Sequence, residues 1–181
     1  MKKKYIVLIS IVLLVLAFVL GSHLYKQQRI KKYDFMAQNN ASTFVRDHSL
    51  RLGSDDAKVY LVEFSDPACE TCAALHPFVK KLIADNPGKI KLVVRHAPFH
   101  EGSEGVVKIL EAARRQGMYW EALEELYRTQ SIWASHHKAK PELALQFLAR
   151  IGLDLEKIRK DVNDQEIANI VRQDLADANT L

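Results

Sequence analysis

Two cysteines three residues apart sit where one hydrophobic pattern gives way to another, and that junction constrains the chain more than any other feature. The stretch reads Val62-Glu63-Phe64-Ser65-Asp66-Pro67-Ala68-Cys69-Glu70-Thr71-Cys72. Lys58 to Phe64 is a β-type run, a short polar turn follows, and then Leu75, Phe78, Val79, Leu82 and Ile83 recur at helical spacing. Cys69 is therefore expected at the first turn of a helix, where unpaired backbone N–H groups favour an anion. A thiolate is such an anion, and it is the reactive form of cysteine. Cys72 lies one helical turn on, within disulfide reach. The sequence holds two cysteines, so this pair bonds to each other or to a partner.

A lone C-x-x-C can be half a zinc site, but strand, turn, C-x-x-C and helix in succession is more specific. Glu63 lies six residues before Cys69 on the strand leading into the turn, and Pro77 lies five after Cys72, where it removes one backbone donor from the helix. Here the chain resembles the thioredoxin superfamily, whose active-site helix carries a proline at that spacing, and most of all its DsbA-like thiol–disulfide oxidoreductases. The resemblance runs from about Leu50 to Leu181. It implies an α/β fold, thioredoxin-like with an inserted helical subdomain at about 101–180. It also implies disulfide exchange at Cys69 and Cys72, with Glu63 beneath the disulfide relaying a proton. A carboxylate flanked by Val62 and Phe64 is costly to bury without partners, which agrees with such a role.

The formal charge of +4 is concentrated at one end. Residues 1–32 carry seven lysines and arginines and no acid, leaving 19 bases against 22 acids in the rest, a net charge of −3. A basic face for nucleic acid is thus not expected. Lys2-Lys3-Lys4 precede an apolar run from Tyr5 to Leu20 broken by Ser10; extended to Tyr25 it makes about 31 Å of helix at ~1.5 Å per residue, enough to cross a bilayer. A cleaved signal with Gly21 before the cut is the alternative, though the apolar part is long and no A-x-A pattern is present. Basic residues flank the span about equally, so the positive-inside count ties. Stable disulfide exchange fits an oxidising compartment, which places the amino end in the cytoplasm and the domain in the periplasm or otherwise outside the membrane. The expected domains are an anchor or signal at 1–25, a juxtamembrane stalk at 26–49 and the thioredoxin-like domain at 50–181.

Within that domain Gly53-Ser54-Asp55-Asp56 reads as a turn, and Ile90 to Arg95 as a second strand joined by a right-handed parallel crossover. After Pro98 nothing alternates like a strand. Helical stripes follow: Val106, Leu110 and Ala113; Tyr119, Trp120, Leu123, Leu126 and Tyr127; Leu143, Phe147, Leu148 and Ile151; Leu155, Ile158 and Val162 behind an Asp154 cap; and Ile167, Ile170, Val171 and Leu175. The resemblance implies a cis-proline loop, a β-hairpin and a final helix after the insertion, yet no proline follows Pro141. The hairpin and helix are expected to be missing, which would leave the strand carrying Glu63 with an open edge.

The substrates expected are protein thiols and disulfides, with a membrane or soluble redox partner and no cofactor. A substrate thiolate attacks the oxidised pair at Cys69, and a second one resolves the mixed disulfide; in reverse, Cys69 attacks and Cys72 resolves. Glu70 and Thr71 stand where the strong oxidants of the family carry Pro-His. Glu70 sets a negative charge beside Cys69, which makes the disulfide less oxidising, or serves simply as a good first-turn residue. Two alternatives remain: a metal module using Cys69, Cys72, His96 and His100, and a non-catalytic remnant. The 23-residue gap between the cysteine and histidine pairs exceeds the roughly 12–15 of a compact zinc finger. His76 reads as a surface or redox-tuning residue, and His136-His137 as exposed loop.

Overall fold

The computed structural model describes residues 2–39, 41–135 and 138–181. The chain divides into two units, residues 1–44 and 45–181. The first is helical, with α1 (Lys2–Asn39) followed by the short α2 (Ala41–Phe44). Among the described residues α1 is the one helix long and apolar enough to cross a membrane, by length and composition. Apolar side chains such as Leu14 and Phe18 are exposed along it, the pattern of a helix that is hydrophobic all round. The helix continues past Tyr25 to Asn39.

The second unit begins at Val45, so the stretch expected as stalk over 26–49 is not one piece. Its reason is electrostatic and lies near the other end of the chain, as described below. A three-stranded sheet, β1 (Leu50–Gly53), β2 (Val59–Ser65) and β3 (Ile90–His96), runs in the order β1-β3-β2. β2 and β3 are parallel, with Glu63 opposite Val94 and Ser65 opposite His96, and α3 (Glu70–Asp85) makes the crossover between them. A helical crossover between two parallel strands is what the apolar runs lead one to expect. β1 was not expected: it pairs antiparallel to β3, with Leu50 opposite Val94, and is too short to show a period. It ends at Gly53, whose φ is +114° and where a Cβ would stand 2.5 Å from the Ile90 carbonyl oxygen, so a side chain is excluded. Among the described residues no strand pairs with the other edge of β2.

Five helices follow: α4 (Ser103–Arg114), α5 (Tyr119–Trp133), α6 (Pro141–Leu148), α7 (Leu155–Asp161) and α8 (Gln165–Thr180). Two-residue strands, β4 (Ala134–Ser135) and β5 (Lys138–Ala139), flank His136 and His137, which lie outside the described residues. Val106, Leu110 and Ala113 of α4, Leu126 and Trp133 of α5, Leu148 of α6 and Ile158 of α7 form a continuous core with Leu92 and Val94 of β3. Asp154 caps α7, accepting from the Lys157 N–H at 3.0 Å.

Two of the five later helices turn differently from their apolar stripes. In α6 the buried side is Ala144, Leu145 and Leu148, with Leu143 and Phe147 only partly covered. In α8 the buried side is Ile167, Val171, Asp174 and Asp177, in place of Ile170 and Leu175. In α8 the cause is Arg95, fully buried near the end of the central strand. Its Nε donates to Asp174 at 2.8 Å and an Nη to Asp177 at 2.6 Å. Asp174 also accepts from the His96 backbone N–H at 2.8 Å and pairs with His48; Asp177 takes two bonds from Arg46, at 2.7 and 2.9 Å. Arg46 and His48 are what draw residues 45–49 into the globular unit.

Arg46 and Arg95 hold the Asp177 carboxyl well below the usual carboxylate range. At Asp174 burial alone would raise the value, but His48 and Arg95 outweigh it and the net direction is also down. Depressed carboxylates contribute stability that is present above about pH 4 and lost as pH falls through their folded values. Replacing Asp174 by Ala leaves Arg95 buried and under-paired, and is expected to destabilise the detergent-solubilised chain by about 3–5 kcal/mol at pH 7 in urea unfolding. The variant should also lose part of the wild-type acid sensitivity between about pH 5 and pH 2.

Candidate active site

The site is built on a turn. Asp66-Pro67-Ala68-Cys69 closes with the Cys69 N–H donating to the Asp66 carbonyl at 3.0 Å. Asp at the first position and Pro at the second are what such a turn favours. The Asp66 carboxylate, itself buried, then gathers the surroundings. One oxygen accepts from the Ala68 N–H at 2.8 Å and from the Ser103 hydroxyl at the start of α4. The other accepts from the Phe99 and His100 N–H groups at 2.8 and 3.0 Å and from His100 Nδ1 at 2.7 Å. One side chain thus joins the end of β2, the loop after β3 and the first turn of α4.

From the other side, Gln130 of α5 donates through Nε2 to the carbonyls of Pro67, at 2.8 Å, and Cys69, at 3.0 Å. The turn leaves Cys69 as the residue that starts α3, with extended backbone (φ −79°, ψ 118°) and a partly exposed thiol. Its side chain makes no capping hydrogen bond, so the free amides of the first turn stand beside a sulfur rather than an oxygen acceptor. Glu70 and Thr71, the residues between the cysteines, are exposed, with Glu70 in the first turn.

Both cysteines are present as thiols. Burial pushes the Cys72 thiol up to about 11, against the opposing pull of the Asp66 backbone N–H and the Ser65 hydroxyl, while neighbouring Cys69 adds to the rise. Glu63 is half-buried on β2, and burial raises its carboxyl above the ordinary range, partly offset by a hydrogen bond from Ser65. Side chains two apart on a strand share a face, so Glu63 and Ser65 point the same way, toward α3 and α5. There the Ser65 hydroxyl lies 3.0 Å from the Tyr127 hydroxyl of α5. Burial holds the Tyr127 phenol well above its usual value.

The sequence-expected residues therefore meet in part. Cys69, Cys72 and Glu63 occupy one neighbourhood, with Glu70 and Thr71 on its outer face. His96 and His100 do not join the cysteines as a ligand set: His96 is buried against Glu111 at 2.8 Å, and His100 is held by Asp66. Among the described residues no three His, Cys, Asp or Glu side chains converge as metal ligands. His76, expected as a surface or redox-tuning residue, is not at the surface: it is 8% exposed, and its Nε2 has no hydrogen-bond partner among the described residues. It lines a cleft of about 460 Å³ between α3 and α5, together with Ala73, Pro77, Lys80, Glu124, Tyr127 and Arg128. Ser65, Asp66, Tyr127 and Gln130 escaped the sequence reading. The Asp-Pro pair signalled a turn, but nothing in the sequence tied Tyr127 and Gln130, sixty residues on, to it.

A family model described as Thioredoxin matches residues 46–181. Among curated proteins, the chain is 32% identical over 126 residues to a Na(+)/H(+) antiporter NhaA of Herminiimonas arsenicoxydans, a match covering 70% of this chain and 19% of that one. It is 32% identical over 132 residues to the probable disulfide bond formation protein D of Bacillus anthracis, covering 68% of this chain and 60% of that one. The chain thus spans about a fifth of the antiporter's length. Among solved structures, a thioredoxin-like oxidoreductase from Silicibacter pomeroyi DSS-3 superposes with a TM-score of 0.66 at 28% identity, covering 77% of this chain and 78% of that one. The thiol–disulfide exchange protein α-DsbA2 from Wolbachia pipientis gives 0.67 at 22% identity, covering 82% and 78%, a likeness of fold. A match over three quarters of the chain, on a fold that sets the cysteine pair at the mouth of its first crossover helix, makes this chain a DsbA-like member of the thioredoxin superfamily.

Proposed function

We propose that the chain is a thiol–disulfide oxidoreductase that exchanges a Cys69–Cys72 disulfide with protein thiols and disulfides. The observation that carries the reading is the unequal setting of the two sulfurs. Cys69 starts the helix beside free backbone amides, and Cys72, partly exposed like Cys69, lies one turn on with its thiol pushed up to about 11 by burial. Exchange needs that inequality. The sulfur at the head of the helix makes and breaks bonds with substrate, and the one whose thiol is raised stays protonated until it is called on to resolve.

In the reducing direction the Cys69 thiolate attacks a substrate disulfide and one substrate sulfur leaves as thiolate. Cys72 then loses its proton and displaces the second substrate sulfur from Cys69, closing the Cys69–Cys72 disulfide. In the oxidising direction the same steps run backwards. Glu63 is the proton acceptor for Cys72, since its raised carboxyl titrates nearer to neutrality than an exposed one. Glu70 and Thr71 tune the pair by setting a carboxylate and a hydroxyl, rather than a cation, over the first turn. With α1 as anchor, the domain works outside the cytoplasm, where disulfides persist, and is served by a membrane or soluble redox partner. Sodium–proton antiport, named for the Herminiimonas relative, is not carried over, because the chain spans a fifth of that protein.

Cys69→Ser is expected to abolish reduction of insulin by the chain, while Cys72→Ser accumulates mixed disulfides at Cys69, resolved by mass spectrometry under non-reducing conditions. Full turnover in Cys72→Ser would reject the assignment.

The raised Glu63 carboxyl carries the opposite linkage sign to the Asp174 cluster. The native state binds the extra proton, so stability falls as pH rises from about 4 through the raised folded value. Glu63→Gln should accordingly melt higher than the parent at pH 8 and alike at pH 4. It should slow the Cys72 resolving step on the order of 100-fold. An unchanged resolving rate between pH 6 and 8 would remove Glu63 from the mechanism.

A further inference from the structure

We infer that the open edge of β2 is a self-pairing surface. A second copy of this chain adds its own β2 there, antiparallel and centred on Val62, and two three-stranded sheets become one continuous sheet. The inference goes beyond disulfide exchange and does not depend on it.

The ladder to β3 fixes which backbone groups are left over. The Val59 N–H donates to the Lys89 carbonyl at 3.2 Å, and the Ser65 carbonyl accepts from the Ala97 N–H at 2.9 Å. Pairing runs unbroken between those two residues. Residues 59, 61, 63 and 65 therefore turn their N–H and C=O groups to β3, while Tyr60, Val62 and Phe64 turn theirs outward. Edge strands are ordinarily guarded by lysine, proline, a bulge or a cover. Val59–Ser65 has no lysine, no proline and no bulge, and Tyr60 is 51% exposed.

The strand is complementary to itself. Val62 is its midpoint, so antiparallel pairing about Val62 engages its whole length. On one face Val62 meets Val62 and Tyr60 meets Phe64 twice, as cross-strand aromatic pairs. On the other face Leu61 meets Glu63, which keeps the two Glu63 carboxylates from standing directly opposite each other, as a centre one residue on would require. Charge agrees at the ends. Exposed Lys58, just before the strand, comes opposite Asp66 of the second copy, at the acidic end where Glu70 is exposed.

α3 supplies an independent reason. Val79 and Ile83 turn to the core, and Ala73, His76 and Lys80 line the cleft toward α5. Leu75, Phe78 and Leu82 are left on the side away from α5, with Phe78 70% exposed. The two-fold axis of an antiparallel pair is perpendicular to the sheet, so both copies of α3 lie on one face. As the crossover between β2 and β3, each sits above the gap between them. With strands about 4.8 Å apart, the two helices stand about 10 Å apart across the seam, which is helix-packing distance. An extended substrate peptide would satisfy the edge but bring no helix to cover Leu75, Phe78 and Leu82; a second copy does both.

The test uses the full chain in detergent, with Cys69→Ser and Cys72→Ser in place so that added cysteines report alone. Val62→Cys should form a disulfide-linked dimer on mild oxidation, because facing residues of this kind hold their Cα atoms about 5.5 Å apart, within disulfide reach. Phe64→Cys alone should not link, whereas a mixture of Phe64→Cys and Tyr60→Cys should. In sedimentation equilibrium the chain without added cysteines should be a dimer. Val62→Pro, which removes an N–H that β3 does not use, should be a monomer. Tyr60→Lys, at an exposed position, should weaken the dimer about tenfold by removing both aromatic pairs, and serves if the proline variant fails to fold. A monomeric chain whose Val62→Cys form does not link would overturn the inference. So would Phe64→Cys linking to itself as readily as Val62→Cys, or a folded Val62→Pro that is still a dimer. A monomer with its native cysteines in which Val62→Pro slows exchange with a peptide disulfide would place a substrate strand on this edge, and would likewise overturn it.

Discussion

Everything at the cysteine pair depends on one buried carboxylate. Asp66 accepts five hydrogen bonds, from Ala68, Phe99, His100 twice and Ser103. Through them the end of β2, the loop leaving β3 and the start of α4 are fixed to one another. The turn that lifts Cys69 to the head of α3 is closed by the same residue's carbonyl. Several buried donors would be orphaned without it, each at about 1–3 kcal/mol. This explains how a turn of small and polar residues holds a reactive sulfur in a fixed place at the edge of a small sheet. The position of Cys69 is a consequence of Asp66 before it is a consequence of α3.

A second buried cluster joins Arg95, near the end of β3, to Asp174 and Asp177 of α8. Arg95 and His96 are adjacent on β3; Asp174 takes the backbone N–H of His96, and His96 in turn faces Glu111 of α4. At Glu111 burial would raise the carboxyl, but His96 and Arg114 outweigh it and lower it. Charge is thus threaded from the N-terminal Arg46 and His48, through the central strand, to the last helix. The sheet that carries Glu63 and Ser65 is locked by these contacts as well as by apolar packing. The support of the site therefore rests on carboxylates that charged partners hold low, Asp174, Asp177 and Glu111, whereas at Glu63 burial outweighs its one hydrogen bond and raises the carboxyl.

The sequence exposes some of this and hides the rest for identifiable reasons. β2, α3 and β3 were legible because a β-type run, a helical stripe and a second apolar run stand in order around the cysteines. Val106, Leu110 and Ala113 were legible for the same reason. β1 was not, because four residues carry no period. The buried face of α8 was misread because periodicity weighs apolar residues only, and here a buried arginine reverses the rule and draws Asp174 and Asp177 inward. The burial of His76 was not legible because its helix shows its apolar residues Leu75, Phe78 and Leu82 to the outside and buries His76 and Val79 instead. Tyr127 and Gln130 lie at i and i+3 of α5, one helix side, but their partners are more than sixty residues back, a distance no local pattern reports.

The most direct measurement is the reduction potential of the Cys69–Cys72 pair, taken by equilibrating the chain with glutathione redox buffers and quantifying dithiol and disulfide forms by alkylation. A working exchange site gives one reversible two-electron transition, and with Glu70-Thr71 between the cysteines it should fall between about −120 mV, the strong oxidants, and about −270 mV, thioredoxin. A pair that forms no disulfide, or one locked below about −300 mV as a structural bond, would contradict the account.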